Sequence, residues 1–406
     1  MKEWKTYRIG DICKTNSSQY STKEAWDEFL YLDTGNITRN IIEDIVRYAS
    51  AAELPSRARR KVVNDDIIFS TVRPNQCHFG ILSNPPANLL VSTGFTVITA
   101  NKKIVDPYYL YYYLIQDSIV DYLHSIGEQA VSAYPSIKAQ DIEDIEIELP
   151  DLSTQNNIAK TLKALDNKIQ LNRQINDNLE QQIQTLYREW FIDNPKTEWA
   201  TIALSEVATF VSGYSYKGNE LVDSSETAMA TIKNFERNGG FKLDGYKPVS
   251  PSSKLKEEQH AELFDILVAH TDLTQNAEVI GNAEIILSKD SYRDVIFSMD
   301  LVKVVAKESF PYQFLLALLL KNPVFKSHCI GYVNGTTVLH MNKRALPDFN
   351  TQIPTCEDAA RMNEIAKSIF TKMSENLSEI AHLPKLRDSL LPKLMSGELK
   401  INEIDC

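Results

Sequence analysis

The side chains best suited to binding chemistry are clustered arginines and amides between predicted strands. Arg57-Ala58-Arg59-Arg60-Lys61 is the densest basic cluster and follows Pro55 in a segment typical of a loop. Arg73-Pro74-Asn75-Gln76 follows a predicted strand and combines side chains that make bidentate contacts with base edges. Both groups could contact DNA phosphates and bases. The alternatives are a solvated charge run for the first group and a turn-holding arginine for the second. The candidates here are Arg57, Arg59, Arg60, Lys61, Arg73, Asn75 and Gln76.

Weaker candidates come from polar loops that recur in both halves of the chain. Lys14 and Ser17 match Tyr214 and Lys217, in loops predicted to follow strands. A glycine followed by small polar residues precedes each predicted long helix and permits close backbone approach to a ligand, although it is also common in ordinary turns. The further candidates are Gln129, Ser132, Thr336 and His340, together with Lys233, Asn234 and Arg237.

One motif raises the question of catalysis. Asn84-Pro85-Pro86-Ala87 resembles the Asn/Asp-Pro-Pro-aromatic motif of amino-methyltransferases, which stack the aromatic on a flipped base. Ala87 replaces the aromatic, and no glycine-rich donor loop precedes it, so we interpret the motif as a proline turn. Cys77-His78 and His328-Cys329 are adjacent dipeptides rather than ligand pairs separated by a turn. The sequence predicts neither catalytic nor metal-binding residues in this chain.

Composition narrows the class of protein. The 406 residues include 43 Lys+Arg and 54 Asp+Glu, a net charge of −11, which argues against indiscriminate wrapping of nucleic acid but not against local basic patches. The five cysteines are widely spaced, which favours a reducing cytoplasm. The longest apolar run, 314–320, is far shorter than the roughly 20 residues that span a bilayer. We therefore predict a cytoplasmic protein without membrane association.

The elements that must position these residues form a tandem repeat. Asp66-Ile67-Ile68-Phe69 matches Asp265-Ile266-Leu267-Val268, each a strand-like run after an acidic turn. A proline before a dense apolar stretch, typical of a buried helix start, occurs at Pro107 and again at Pro311. Residues 145–150 match 349–354, and all pairs keep the same order. The sequence therefore predicts two similar domains of the α/β (α+β) class in tandem.

Each half ends in a long predicted helix with one apolar stripe. Residues 153–192 contain neither glycine nor proline and would form a helix of ~60 Å. A second stripe covers 357–383, where Pro384 bends or ends the helix before 386–394 resume it. Because such stripes must be buried, we predict that the helices pair as an antiparallel coiled coil. The residues predicted to pair are Leu162, Leu165, Ile169, Leu179, Ile183, Leu186, Trp190, Ile369, Met373, Leu377, Leu390 and Leu394.

Two questions about these helices stay open at the level of sequence. Asn172 and Asn176 either occupy the seam and fix its register, or the stripe drifts and Leu171 and Ile175 replace them. The terminal apolar segment 390–395 either folds back on the chain or meets another subunit. Antiparallel pairing would relate the two domains by a pseudo-twofold axis, which suits two DNA half-sites about one helical turn, ~34 Å, apart.

The chain resembles the specificity subunits of type I restriction–modification enzymes along its whole length. Supporting motifs are Leu149-Pro150-Asp151-Leu152-Ser153-Thr154-Gln155, at the start of the first long helix, and the segment 66–75. The second half departs from the pattern, because Pro354-Thr355-Cys356-Glu357-Asp358 lacks the leucine and glutamine of the first. The most specific match is the C-terminal segment Leu386-Arg387-Asp388-Ser389-Leu390-Leu391-Pro392-Lys393-Leu394-Met395-Ser396-Gly397-Glu398-Leu399.

The resemblance implies an architecture and a function. Residues 1–150 would be the first target-recognition domain, 151–195 the central spacer helix, 196–354 the second recognition domain, and 355–406 the C-terminal spacer helix and terminal segment. Each recognition domain would read one half of a bipartite double-stranded DNA target, and the helices would set the gap. The subunit would have no catalytic activity and no cofactor of its own. S-adenosylmethionine would bind two partner adenine-N6 methyltransferase subunits, and two nuclease–translocase subunits would complete the restriction enzyme.

Two alternatives remain. A stand-alone DNA-binding or scaffold protein that has kept the fold would bind DNA tightly, and with strong salt dependence, without partners. A methyltransferase that uses the Asn84 motif would be labelled by S-adenosylmethionine as an isolated chain.

Overall fold

The computed structural model describes residues 4–129, 135–274, 276–335 and 338–400. It divides into two compact units: unit 1 comprises 1–168 and 383–406, and unit 2 comprises 169–382. The boundary falls inside both long helices rather than at a loop, since Lys168 and Ile169 are consecutive helical residues. Each unit therefore contains one α/β domain and its own share of both helices.

Unit 1 is built on two small four-stranded sheets. The strand orders are β6-β3-β10-β7 and β2-β11-β8-β9, and β3 and β10 are parallel while the other neighbours in these two sheets are antiparallel. Leu32 and Val91 of the first sheet share a buried cluster with Ile68 and Val97 of the second, so the sheets pack face to face. The strands are β1 (Lys5–Arg8), β2 (Cys13–Thr15), β3 (Phe29–Leu32), β4 (Ile37–Thr38), β5 (Ile41–Ile42), β6 (Val46–Tyr48), β7 (Ala58–Lys61), β8 (Ile67–Ser70), β9 (Phe79–Ile81), β10 (Leu89–Ser92), β11 (Phe95–Ala100) and β12 (Glu146–Leu149).

The helices of unit 1 cover the second sheet and lead into the first long helix. They are α1 (Ile9–Ile12), α2 (Pro107–Leu114), α3 (Asp117–Glu128), α4 (Ala139–Glu143) and α5 (Leu152–Tyr187). Strands β1 and β12 pair antiparallel, which joins the start of the domain to its end just before α5 begins. Gln155 is buried there and donates its amide to the carbonyls of Ile104 and Pro150, while its oxygen accepts from the Asp106 N–H. The glutamine of the motif that resembles the specificity subunits therefore holds α5 to the α2 start.

Unit 2 repeats this architecture. The sheet β14-β21-β17-β19 has the connectivity of β2-β11-β8-β9, a three-stranded sheet β16-β15-β20 replaces the four-stranded one, and β13 pairs with β24 as β1 pairs with β12. The strands are β13 (Ala200–Ala203), β14 (Ala208–Ser212), β15 (Thr227–Ala230), β16 (Lys247–Pro248), β17 (Ile266–Ala269), β18 (Thr271–Asp272), β19 (Ala283–Ile285), β20 (Asp294–Phe297), β21 (Leu301–Ala306), β22 (Val333–Asn334), β23 (Leu339–Met341) and β24 (Asn350–Ile353). The predicted pair of α/β domains is confirmed.

The helices of unit 2 differ from the expectation in two places. They are α6 (Leu204–Val207), α7 (Gln313–Leu320), α8 (Pro323–Ile330) and α9 (Cys356–Met395). The expected helix start at Pro311 is wrong, because α7 begins at Gln313 and the amide oxygen of Asn363 accepts from the Phe314 and Leu315 N–H groups. The alternative that Pro384 ends the last helix is also wrong. Pro384 removes one backbone donor, but α9 continues to Met395 because Leu391, Leu394 and Met395, which belong to unit 1, are buried in the core of that unit.

The long helices run antiparallel within each unit. In unit 2, the amide of Asn172 donates to Glu379 at 2.7 Å, whereas Ile183, further along α5, shares a buried cluster with Phe370, earlier in α9. In unit 1, Arg387 donates to Asp166 at 2.6 Å. Leu162, Ile183, Met373 and Leu394 are buried, and Ile169 is 8% exposed. The half-buried members of the predicted set are Leu165, Leu179, Leu186, Trp190, Ile369, Leu377 and Leu390.

The structure answers both open questions about these helices. Asn172 and Asn176 are buried while Leu171 is 49% exposed, so the asparagines hold the seam. Leu391, Leu394 and Met395 join the buried cluster of unit 1, so the terminal segment folds back on its own chain. Three residues of α9 outside the predicted pairing set are also fully buried: Ala359, Ala366 and Phe370.

Candidate nucleic-acid interface

Three loops of unit 1 converge at one end of the sheet β2-β11-β8-β9. Because β2 and β8 are both antiparallel to β11, the residues after β2 and β8 lie beside the residues before β11. The Asn16 N–H donates to the Val97 carbonyl, and the Thr71 N–H donates to the Gly94 carbonyl at 2.7 Å. We call residues 16–19, 57–60, 71–76 and 92–94 the first edge.

The basic cluster 57–61 joins this edge as a strand, so the expected loop is wrong. Ala58–Lys61 forms β7, the Thr93 N–H donates to the Arg57 carbonyl, and the Tyr20 N–H donates to the Arg59 carbonyl. Val91 and Ser92 pair with Arg60 and Ala58, which leaves Arg59 unpaired in a bulge. Alternating pairing and the bulge leave Arg57 and Arg59 exposed at the edge.

Arg60 and Lys61 have different environments from the two exposed arginines. The Nε and Nη1 atoms of Arg60 are buried, and they have no hydrogen-bond partner among the described residues. Burial lowers the pKa of this guanidinium. Lys61 donates to Glu24 at 2.7 Å and lies over the Trp26 ring, which gives it a structural role. Arg60 thus differs from Arg57 and Arg59, because its Nε and Nη1 donors are enclosed by the fold and closed to a ligand at the surface.

The loop 73–76 brings the second predicted group to the same edge. Arg73 adopts a left-handed backbone with φ of 47°, and a single 3₁₀ turn, Pro74–Gln76, follows it. Asn75 and Gln76 are exposed, and the Arg73 N–H donates to the Pro135 carbonyl. This contact places the loop beside the chain that follows α3. Gln129 is the exposed C-cap of α3, so the expected loop at Gly127 is wrong: Gly127 is helical. Ser132 lies outside the described residues.

Lys14 and Ser17 flank the end of β2. Lys14 is exposed but belongs to β2 itself, where it pairs with Thr99, so its assignment to a loop after the strand is wrong. Ser17 is exposed in the loop and belongs to the first edge. The Lys61 N–H donates to the Ser18 carbonyl, which ties this loop to β7.

Unit 2 has the equivalent convergence, which we call the second edge: residues 213–214, 270–273, 298–300 and 340–343. The His270 N–H donates to the Asp300 carbonyl, and the Met299 N–H donates to the Tyr214 carbonyl. A Cβ atom on Gly213 would lie 2.0 Å from the Ser298 carbonyl oxygen, so this close approach requires glycine. His340 pairs with Thr271 in a strand, and its expected loop placement is therefore wrong. Thr336 lies outside the described residues.

Several candidates of unit 2 are used by the fold. Tyr214 is buried, and its hydroxyl donates to Glu220 at 2.8 Å. Asn234 accepts from the Thr231 N–H and donates to the Lys242 carbonyl, and its full burial keeps it from reaching a base. Arg237 pairs with Glu278 at 3.1 Å. Lys217 and Lys233 are both exposed.

The motif at Asn84 has the geometry of a turn. Residues 84–87 connect β9 to β10 at the surface, and Asn84 has a φ of 48° with its N–H bonded to the Asn64 side chain. Within the described residues, no group of three His, Cys, Asp or Glu side chains could hold a metal ion. In the same part of the chain, every helix is too short or too polar to cross a membrane.

Each edge also contains an exposed residue that no sequence motif identifies. Thr93 and Met299 occupy the same place, in the turn from the parallel strand to the long strand of each unit, and both are exposed. Neither carries a charge or follows a recognisable motif. Their positions could be inferred only by aligning the two halves through β10–β11 and β20–β21.

Several known proteins are similar to this chain. Residues 1–181 match the sequence model of the type I restriction modification DNA specificity domain. The HindI specificity subunit of Haemophilus influenzae is 26% identical in an alignment that covers 98% of this chain and all of that one. The MjaIX specificity subunit of Methanocaldococcus jannaschii is 24% identical in an alignment that covers 99% of this chain and 95% of that one. The crystal structure of the type I restriction–modification S subunit from M. genitalium superposes with a TM-score of 0.55 at 14% identity, over 96% of each chain, and shows the same fold.

The chain thus has the fold of a protein with two α/β domains joined to paired helices. Over nearly its whole length it is similar to type I restriction enzyme specificity subunits, and its first 181 residues match the model of their DNA specificity domain.

Proposed function

We propose that this protein reads a bipartite double-stranded DNA target, one half with each recognition domain. The repeated convergence of loops at the end of an equivalent sheet carries the proposal, because it provides two separate surfaces of the same kind on one chain. The spacer helices would set the length of the unread gap. The protein would act in the cytoplasm.

On the first edge, we assign some exposed side chains to DNA phosphates and others to base edges. Arg57 and Arg59 contact phosphates and fix the position of the domain on the duplex. Arg73, Asn75 and Gln76 extend from the adjacent turn and can make bidentate contacts with guanine and adenine edges. On the second edge, His340 and Lys343 supply the corresponding polar contacts.

The chemistry belongs to partner chains in this proposal. Two adenine-N6 methyltransferase subunits, which bind S-adenosylmethionine, would modify the target, and two nuclease–translocase subunits would cleave unmodified DNA. The chain itself would be non-catalytic. The exposed turn at Asn84 supports this assignment, because an amino-methyltransferase motif needs an enclosed pocket for a flipped base.

A genome-wide map of N6-methyladenine in the host, with and without the gene, tests the proposal. Deletion should abolish methylation at one split motif, and the wild-type gene should restore it. Complementation with Gln76→Ala should relax one half of the motif, and His340→Ala should relax the other half. Lys102→Ala and Arg293→Ala are matched controls, because both residues lie at the opposite ends of their sheets from the edges and should leave the motif unchanged.

An unchanged map would contradict the proposal and favour a stand-alone binder. The isolated chain should then bind DNA tightly, with affinity that falls steeply as salt rises. Transfer of a labelled methyl group from S-adenosylmethionine by the isolated chain would instead identify a methyltransferase.

A further inference from the structure

Two large apolar side chains project from the second edge. Leu273, which follows β18, is 65% exposed, and Met299, in the turn from β20 to β21, is 55% exposed. Single exposed apolar residues are common on protein surfaces. Here, however, the two exposed residues belong to loops that the backbone holds side by side.

The hydrogen bonds of the second edge define this placement. The His270 N–H donates to the Asp300 carbonyl at 2.8 Å, and the Thr271 hydroxyl donates to the Asp300 carboxylate at 3.0 Å. Thr271 therefore lies against Asp300. Leu273 is two positions after Thr271, and Met299 is the neighbour of Asp300 in the chain. Thr271 and His340 are paired across β18 and β23, so His340 shares the surface.

The same surface carries exposed basic side chains. Lys343 and Arg344 are exposed just after β23. Burial lowers the pKa of His270, and electrostatic interaction with His340 and Lys343 lowers it further while Asp300 opposes them, so these groups lie close together. The apolar pair is thus bordered by polar and charged groups, the Asp300 carboxylate and the exposed Lys343 among them, rather than by more apolar surface, which fits a nucleic acid better than a protein interface core.

We infer that Leu273 and Met299 are specificity-determining residues that contact the 5-methyl group of thymine in the major groove. This methyl group is the apolar feature by which thymine differs from the other bases in that groove. The inference rests on the proposed function, since it assigns the recognition chemistry of the second edge. It also accounts for the departure of this edge from the first, where Arg73 and Thr93 occupy the corresponding loops.

Duplexes containing deoxyuridine test the inference, because deoxyuridine lacks only the 5-methyl group. The complex of this chain with its methyltransferase would be titrated with the mapped target and with duplexes in which each thymine is replaced in turn. In the half-site that His340→Ala relaxes, one or two replacements should weaken binding about fourfold each, the loss expected for one buried methyl group. Leu273→Ala or Met299→Ala should weaken binding to the thymine duplex by a similar factor and abolish its preference over the deoxyuridine duplex.

Leu263→Ala is the matched control. Leu263 is 43% exposed but precedes β17, whereas Leu273 follows that strand, so the two leucines lie at opposite ends of the sheet. The control should retain the full preference for thymine, and all three variants should unfold at the wild-type temperature.

Three outcomes would overturn the inference. In the first, the wild-type complex binds every deoxyuridine duplex as tightly as the thymine duplex. In the second, Leu273→Ala and Met299→Ala both keep the full preference for thymine. In the third, the half-site contains no thymine. Each of them leaves sequence-specific binding intact. Failure of the proposed function is a separate result, namely equal binding of the mapped target and a scrambled duplex.

Discussion

The side-chain amide of Asn376 donates a hydrogen bond to the side-chain oxygen of Asn176 at 2.8 Å, and both residues are buried between α5 and α9. The Asn176 amide in turn donates to the Met373 carbonyl. A buried polar pair in an apolar seam is satisfied in one alignment only, so a shift of either helix by one turn would leave both amides without partners.

Replacing one member of this pair should therefore destabilise unit 2. Asn376→Leu leaves the Asn176 oxygen buried without its donor, which costs about 1–3 kcal/mol of unfolding free energy. The double variant Asn176→Leu/Asn376→Leu should recover most of this loss but weaken the preference for one register. Chemical denaturation of the three variants gives the coupling free energy, and additive effects would contradict a specific pair.

Substitution of the buried Lys321 should strongly lower the unfolding free energy of unit 2. Its ammonium lies 2.7 Å from Glu284 and 2.9 Å from Glu180, and Glu284 also accepts the Gly240 N–H. Burial disfavours the ammonium, but the two carboxylates outweigh it and hold the pKa of Lys321 above its ordinary value. Lys321→Met would leave Glu284 buried without its cation and should cost about 3–5 kcal/mol.

A second substitution separates the charge effect from lost packing. Adding Glu284→Gln to Lys321→Met removes the stranded charge and should restore part of the stability in a denaturant titration. No recovery would indicate that Lys321 acts through its alkyl chain. Lys372→Met, which breaks an exposed ion pair with Glu375, is the control and should change stability by less than about 1 kcal/mol.

Acidification should destabilise unit 2 through His270. Its folded pKa is depressed, first by burial and then by His340 and Lys343, so the unfolded chain takes up a proton at a higher pH than the folded chain. The resulting stability is present above the ordinary histidine pKa of about 6.5 and is lost as pH falls through the lower folded value. His270→Gln should therefore flatten the decline in denaturation midpoint between pH 7.5 and 5.5. An identical decline in the variant would exclude His270 as the cause.

Phosphate and base contacts of the first edge should differ in their salt dependence. Arg59→Ala removes a charge from an exposed bulge, so affinity should fall by a similar factor on all sequences and the salt slope should decrease by about 1. Gln76→Ala should relax discrimination at one base pair and leave the salt slope unchanged. Binding titrations at several salt concentrations check both. A sequence-dependent effect of Arg59→Ala would identify it as a base reader instead.

Much of the architecture could be predicted from local sequence patterns. The matched segments 66–69 and 265–268 are equivalent strands, because an acidic turn followed by branched apolar residues specifies a buried strand in either half. The stripes of α5 and α9 likewise predicted antiparallel pairing, since a single apolar face must be covered. The predicted end of the helix at Pro384 was wrong, because packing of the residues beyond it offsets one missing backbone hydrogen bond and α9 continues to Met395.

The composition of the edges was decided by tertiary structure. The sequence itself determined that arginines and amides follow predicted strands, but only strand order places Arg57, Arg73 and Thr93 side by side. Asn234 and Tyr214 have the side chains of base readers, yet the fold buries them and uses their hydrogen bonds internally. Leucine and methionine do not by themselves indicate a DNA contact, so the sequence does not single out Leu273 and Met299. Their exposure depends on long-range strand pairing, which connects residues too distant along the chain for any local pattern to encode.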